Sequence, residues 1–136
     1  SSQRINWTEN RLAGHTEDRV VAAEAQLGLR LPPEYRIRLI SNNGGELETE
    51  HDVWQVFPVF DDTDRKRAGR STNHLVRETQ QAANWPGFPV GAVAVASNGT
   101  GDLLIFFPGT SGTYDGKLKY WSHESQQCTP TGLDFT

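Results

Sequence analysis

Two apolar runs, Ala92-Val93-Ala94-Val95-Ala96 and Leu103-Leu104-Ile105-Phe106-Phe107, flank Ser97-Asn98-Gly99-Thr100-Gly101. Short runs rich in β-branched and aromatic residues read as strands, and a turn-dense linker between two of them predicts a β-hairpin. Neither run alternates with polar residues, so the hairpin is apolar on both faces. Such a hairpin belongs at the buried centre of a sheet.

The flanking segments place other elements around it. Val53 to Phe57 reads as a strand, with Pro58 marking its end or an edge position. Asp115-Gly116 marks a turn, and Lys117 to Trp121 alternates charged with apolar residues, which predicts a strand buried on one side. Three helices are expected. The first starts at Thr16-Glu17-Asp18, carries Val20, Ala23 and Leu27 at helical spacing with Glu24 among them, and stops at Gly28. The second opens at Pro32-Pro33-Glu34, lines Leu31, Tyr35 and Leu39 along one side with Ile40 next to them, and ends at Asn42-Asn43-Gly44-Gly45. The third starts at Ser71 or Thr72, carries Leu75, Val76, Thr79 and Ala83, and stops before Trp85-Pro86-Gly87, while residues 61–70 read as a charged loop. Helices and strands are segregated, so the expected fold is α+β: a mainly antiparallel sheet of four or more strands with about three helices packed on it. Trp54, Val93, Val95, Leu104, Phe106 and Trp121 should be buried. Residues 1–15, polar apart from Ile5, Trp7 and Leu12, read as an N-terminal arm, and residues 16–136 as a single domain.

Composition narrows the class. Thirteen Gly and seven Pro imply many turns, and four Trp with six Phe argue against disorder. The formal net charge of −4 gives no counterion-release energy for nucleic-acid binding unless the few basic residues cluster, and the Arg65 to Arg70 cluster is too short and too close to the acids for that; the charge does favour a basic protein partner. The longest uncharged stretch, from Thr79 to Gly101, is too polar and too broken by Pro and Gly to span a bilayer. Cys128 is the only cysteine, which excludes an internal disulfide and fits a reducing, cytoplasmic setting. Ser1 without a preceding Met reads as a processed or tag-derived start, and a removed signal segment stays open.

Catalytic patterns are missing. There is no dinucleotide-binding or phosphate-loop glycine motif, and Gly109-Thr110-Ser111-Gly112 lacks the spacing of a nucleophile elbow. Cys128 and His123 are five residues apart with nothing to supply an oxyanion hole, so an inert cysteine is the ordinary reading. His51-Asp52 and His123-Glu124 put ligand types side by side, but adjacent strand residues point to opposite faces. No metal is expected on His51, His123 or Cys128, and no cofactor. Asn98 to Asp102 has one carboxylate where calcium loops have several; a hairpin turn is expected, with Asp102 accepting from loop amides.

One feature is unusual. Between Leu39 and Asp64 stand seven acids and no Lys or Arg: Glu46, Glu48, Glu50, Asp52, Asp61, Asp62 and Asp64. Arg65-Lys66-Arg67 and Arg70 follow at once. A solvated loop pair with local ion pairs explains the pattern blandly. A negative face that steers a basic partner explains it functionally, with Trp54 or Phe60 as aromatic anchors.

The order of several short motifs resembles a known family. Leu27-Gly28-Leu29-Arg30-Leu31-Pro32-Pro33-Glu34-Tyr35-Arg36, then Leu39 and Asn43-Gly44-Gly45, is similar to the opening signature of the SUKH superfamily, the group of the Smi/Knr cell-wall assembly regulators and many bacterial immunity proteins. The hairpin through Asn98-Gly99-Thr100-Gly101-Asp102 resembles the family's central element, and Gly116 to Glu124 its closing strand. The resemblance implies an α+β domain without catalytic residues. It also implies an immunity protein that neutralises a toxin domain, often a nuclease or deaminase. A regulatory or scaffolding domain of cell-wall assembly type is the alternative, and a small-molecule-binding domain or enzyme a more distant one. The acidic stretch matches no family motif.

Overall fold

A computed structural model describes residues 13–49, 52–61 and 65–136. The expected anchors Ile5, Trp7 and Leu12 of the arm lie outside the described residues, as does His51. Helices α1 (Ala13–Leu27) and α2 (Pro33–Ser41) come first, then strands β1 (Glu46–Glu48) and β2 (Val53–Val56). A short helix α3 (Arg65–Arg70) and helix α4 (Leu75–Ala82) follow, and then β3 (Val93–Ser97), β4 (Leu103–Phe106), β5 (Lys117–Trp121) and β6 (Cys128–Asp134). The six strands pair in chain order and every neighbour is antiparallel, so the sheet is a meander in an α+β fold. The expected hairpin is its centre, and Trp54, Val93, Val95, Leu104, Phe106 and Trp121 are all buried.

Register assigns each strand residue to a face. Leu47, Trp54, Val56, Ala96, Leu104, Phe106 and Tyr120 share the inner one. Trp54 of β2 meets Tyr120 of β5 with ring centroids 5.4 Å apart, across two intervening strands, which requires the sheet to curl around this face. Helix α2 fills the curl. Tyr35 sets its ring edge-on to Phe106 at 5.1 Å and to Phe135 at 5.3 Å.

Helix α1 ends as expected at Gly28, whose φ of 90° favours glycine. Between α1 and α2, the buried Glu24 carboxylate accepts from the Leu31 N–H at 2.7 Å and from Arg36 Nε at 2.9 Å. Glu24 therefore fixes the turn that delivers α2 to the sheet. Helix α4 lies along β3 where β2 has ended. There the Thr79 hydroxyl accepts from the Ala94 N–H at 3.0 Å and donates to the Ala94 carbonyl at 3.4 Å, satisfying backbone on the side of β3 that β2 leaves open.

Several expectations need correction. Helix α1 is already formed at Ala13, not started at Thr16, so Glu17 and Asp18 lie beyond its first turn. Helix α4 is capped by His74, whose Nδ1 accepts from the Arg77 N–H at 3.3 Å, and not by Ser71 or Thr72. The Ser71 hydroxyl is engaged elsewhere, accepting from the Asp61 N–H at 2.9 Å. Residues 65–70 are helical, not loop. Strands β1 and β6 go beyond the expected set. Finally, β5 is not one-sided at its end: Leu118 faces inward, and Trp121 on the other face lies under the Trp85–Phe88 loop, while Lys117 on that face stays exposed.

Candidate functional site

In an antiparallel meander alternate turns fall at the same end. The β1–β2, β3–β4 and β5–β6 turns, around Asp52, Asn98–Asp102 and Ser122–Gln127, therefore gather at one end of the sheet. Side chains tie them together. Asn98 Nδ2 donates to Asp52 Oδ2 at 2.8 Å, joining the first turn to the second. Asp102 joins the second to the third: it accepts from the Tyr120 hydroxyl, from the His123 N–H at 3.0 Å, and lies 2.6 Å from His123 Nδ1.

The expectation that Asp102 would bond its own loop amides is thus corrected. Those amides are met by nearer groups, Gly99 N–H by Ser97 Oγ and Thr100 N–H by Asn98 Oδ1. Burial alone would push the Asp102 carboxyl up, but the hydrogen bonds from Tyr120 and His123 outweigh it and hold the carboxyl below the usual carboxylate range. The same bond pushes the Tyr120 phenol up to about 12, with burial and the negative charges of Asp102, Asp52 and Glu124 adding to it. The His123 ring packs so closely on Gly101, whose φ is 103°, that a Cβ there would lie 3.2 Å from His123 Cγ.

The expected acidic residues divide. Glu46 and Glu48 lie on the outer face of edge strand β1, exposed, with Glu46 Oε2 accepting from Gln55 Nε2 at 2.9 Å. Asp52 is exposed in the adjoining turn. Glu50, Asp62 and Asp64 lie outside the described residues. Asp61 does not belong to this face: it is 9% exposed and sits beyond the far end of β2, where its backbone pairs with Ser71. Trp54 points to the inner face at 1% exposure, its Nε1 donating to Thr49 Oγ1, so it cannot anchor a partner. Phe60 is exposed but packs on His74 at 5.2 Å, also past the far end of β2 from Asp52.

Two contributors were not assigned to this face from the sequence. Glu124 is exposed in the β5–β6 turn and adds its charge to the same end. Trp85 is 38% exposed, resting on Trp121 with ring centroids 5.9 Å apart. Register links this pair to the acids: Glu46, Gln55, Ser97, Leu103, Trp121 and Cys128 form one row across all six strands, on the outer face. Meander topology was the signal that would have found both, since it brings residues from three distant turns together.

The His123 ring is turned to Asp102, and burial pushes the Cys128 thiol up despite the pull of Lys119. Among the described residues no three His, Cys, Asp or Glu side chains gather to hold a metal ion. No helix among them is long and apolar enough to cross a membrane.

The described residues form an α+β domain whose inner sheet face is filled by helices and whose turn end presents exposed acids and a tryptophan. The chain belongs to the SMI1 / KNR4 family (SUKH-1), whose family model matches residues 14–136. Members of this family generally act as immunity proteins, binding a toxin without catalysing a reaction. Neither the curated proteins nor the solved structures include a match to the chain.

Proposed function

We propose that this chain is an immunity protein that binds a basic toxin domain through the turn end and outer β1–β2 face of its sheet. The observation that carries the reading is charge segregation. From Leu39 to Asp64 there is no Lys or Arg, and after Arg77 the only ones are Lys117 and Lys119. Glu46, Glu48, Asp52 and Glu124 are thus exposed at one end without a basic residue in the three turns they adjoin. Nuclease domains fit as partners because a protein that holds phosphates must be basic. Family membership supports a proteinaceous partner, and a single reduced cysteine suits a cytoplasmic site of action.

The test takes candidate toxin domains, beginning with products of neighbouring genes, and measures inhibition and association kinetics. A stoichiometric complex that abolishes toxin activity is expected. Its association rate should fall as salt screens the face over about 8 Å. The double variant Glu46→Gln, Glu48→Gln should slow association several-fold at low salt and little at high salt. Equal rates for both proteins in both conditions would remove this face from the reading.

A further inference from the structure

The turn end holds a cleft of about 350 Å³ lined by Trp85, Pro86, Gly101, Trp121, His123 and Gln126. Its floor is rigid. Trp121 is buried, donates from Nε1 to the Gly87 carbonyl at 3.2 Å, and is braced edge-on by Phe88 at 5.4 Å. Trp85 leans on that floor with planes 30° apart, yet keeps 38% of its surface exposed. A large apolar ring in that position is a stacking surface backed by a support that cannot collapse beneath it.

The polar wall is equally fixed. His123 keeps 40% of its side chain exposed while its Nδ1 meets Asp102 Oδ1. In the neutral ring, a carboxylate at Nδ1 selects the tautomer with the proton on that nitrogen, which leaves Nε2 as an acceptor. Gln126, held at φ 59° by its N–H bond to the Ser122 carbonyl, adds an amide. Opposite it Gly87 is close enough that a Cβ there would lie 2.6 Å from Gln126 Oε1. Asp102 stands behind His123, Glu124 follows it in the chain, and the three turns hold no Lys or Arg.

We propose that this cleft receives the guanidinium of an arginine side chain from the protein partner, stacked on Trp85 and hydrogen-bonded to His123 Nε2 and the Gln126 amide oxygen. The proposal rests on the protein-binding reading above and names the partner group that the site takes. Arginine fits where lysine does not, because its planar, weakly hydrated fork stacks on an aromatic ring while its edge still donates several N–H groups. Phosphates and carboxylates are repelled by the same acids.

The cleft can be tested without a toxin. N-acetyl-arginine amide is titrated into isotope-labelled protein, with the lysine and citrulline analogues as controls, and the Trp85 indole and His123 resonances are followed. Arginine should give saturable shifts in the millimolar range, with lysine several-fold weaker and neutral citrulline weaker still. Trp85→Leu should weaken arginine at least tenfold at unchanged melting temperature. Gln126→Gly, which suits the left-handed backbone, should weaken it a few-fold and guards against a Trp85 variant that fails to fold. Unsaturated shifts, or equal binding of lysine or citrulline, would overturn the proposal while leaving the salt-dependent acidic face standing. Saturable arginine binding by a chain that inhibits no toxin would do the reverse.

Discussion

Strand β2 presents two faces made of alternate residues with different duties. Trp54 and Val56 point inward, buried against the curled sheet and its helices, while Val53 and Gln55 point outward and are exposed beside Glu46 and Glu48. The inner residues hold the fold. The outer ones contribute little to it, which leaves their chemistry free to be set by a partner. Acids follow the same division. Glu24 is enclosed between α1 and α2 with two donors, whereas Glu46 and Glu48 stand in solvent on an edge strand.

Two neighbours on β2 give the widest separation of these duties. Trp54→Ala should cost about 3–5 kcal/mol, because it leaves a large cavity under the curl. Gln55→Ala, one residue along, should stay within about 0.5 kcal/mol. Urea unfolding followed by far-UV circular dichroism measures both. Similar losses at the two positions would mean that the outer face also carries the fold.

Glu24 tests the division among the acids. Removing its carboxylate strips Leu31 N–H and Arg36 of their acceptor at a buried site. Arg36 keeps some solvent contact, so Glu24→Ala should cost about 2–3 kcal/mol, the range for hydrogen bonds to a charged group. The same denaturation experiment reads it, and a loss under half that size would place Glu24 with the surface acids.

How far this division can be read in the sequence depends on whether local pattern or long-range pairing decides an element. The β3–β4 hairpin is legible because ten apolar residues around a glycine turn have one good solution, and α2 because Pro32-Pro33 and Asn43-Gly44-Gly45 punctuate it. Strand β1 is not legible. Glu-Leu-Glu has little strand preference, and only pairing with Trp54 through Leu47 makes it one. Strand β6 contains Pro130 and Gly132, which argue against a strand; they are tolerated because β6 is an edge strand, with a register shift between the pairs at Lys117 and Lys119. The acidity of residues 46–52 is visible in the sequence, but the neighbours of that face are not. Sequence proximity groups Asp61 with it and packing removes it, while Glu124 and Trp85 join from turns far along the chain.

Asp102 stands between the two classes, covered by its neighbours yet close to the solvent-washed turns. Its carboxyl is held below the usual range in the folded chain, so its contribution is present above the unfolded value, near pH 4, and lost as pH falls through the folded value. Tyr120, pushed up to about 12, has the opposite sign: its contribution is present below about pH 10 and lost as pH rises through 12. Asp102→Asn should therefore cost about 1–2 kcal/mol at neutral pH, with the difference from the native chain shrinking below about pH 4. Unfolding midpoints measured from pH 2 to 8 for both proteins would show it. A difference independent of pH would mean that Asp102 acts through shape alone.

The smallest effect is the most telling about the outer face. Glu46 and Glu48 are two residues apart on the same side of β1, so their backbones are separated by roughly 7 Å. Two unit charges at that distance in water repel by about 0.6 kcal/mol, and physiological salt reduces this to roughly 0.2–0.3 kcal/mol. Neither carboxylate has an ion pair within β1 and β2, whose other residues are uncharged, and the Arg38 guanidinium beside β1 donates to the Glu46 carbonyl. Glu46 does accept from Gln55 Nε2, but a glutamine in its place keeps an amide oxygen for that bond. The double variant Glu46→Gln, Glu48→Gln should therefore be as stable as the native chain or more stable by a few tenths of a kcal/mol, with the gain largest at low salt. Thermal unfolding at two salt concentrations resolves the sign. A loss above about 1 kcal/mol would show that the acids serve the fold. A small gain in stability together with slower partner association would show that they are retained for binding at a slight cost to folding.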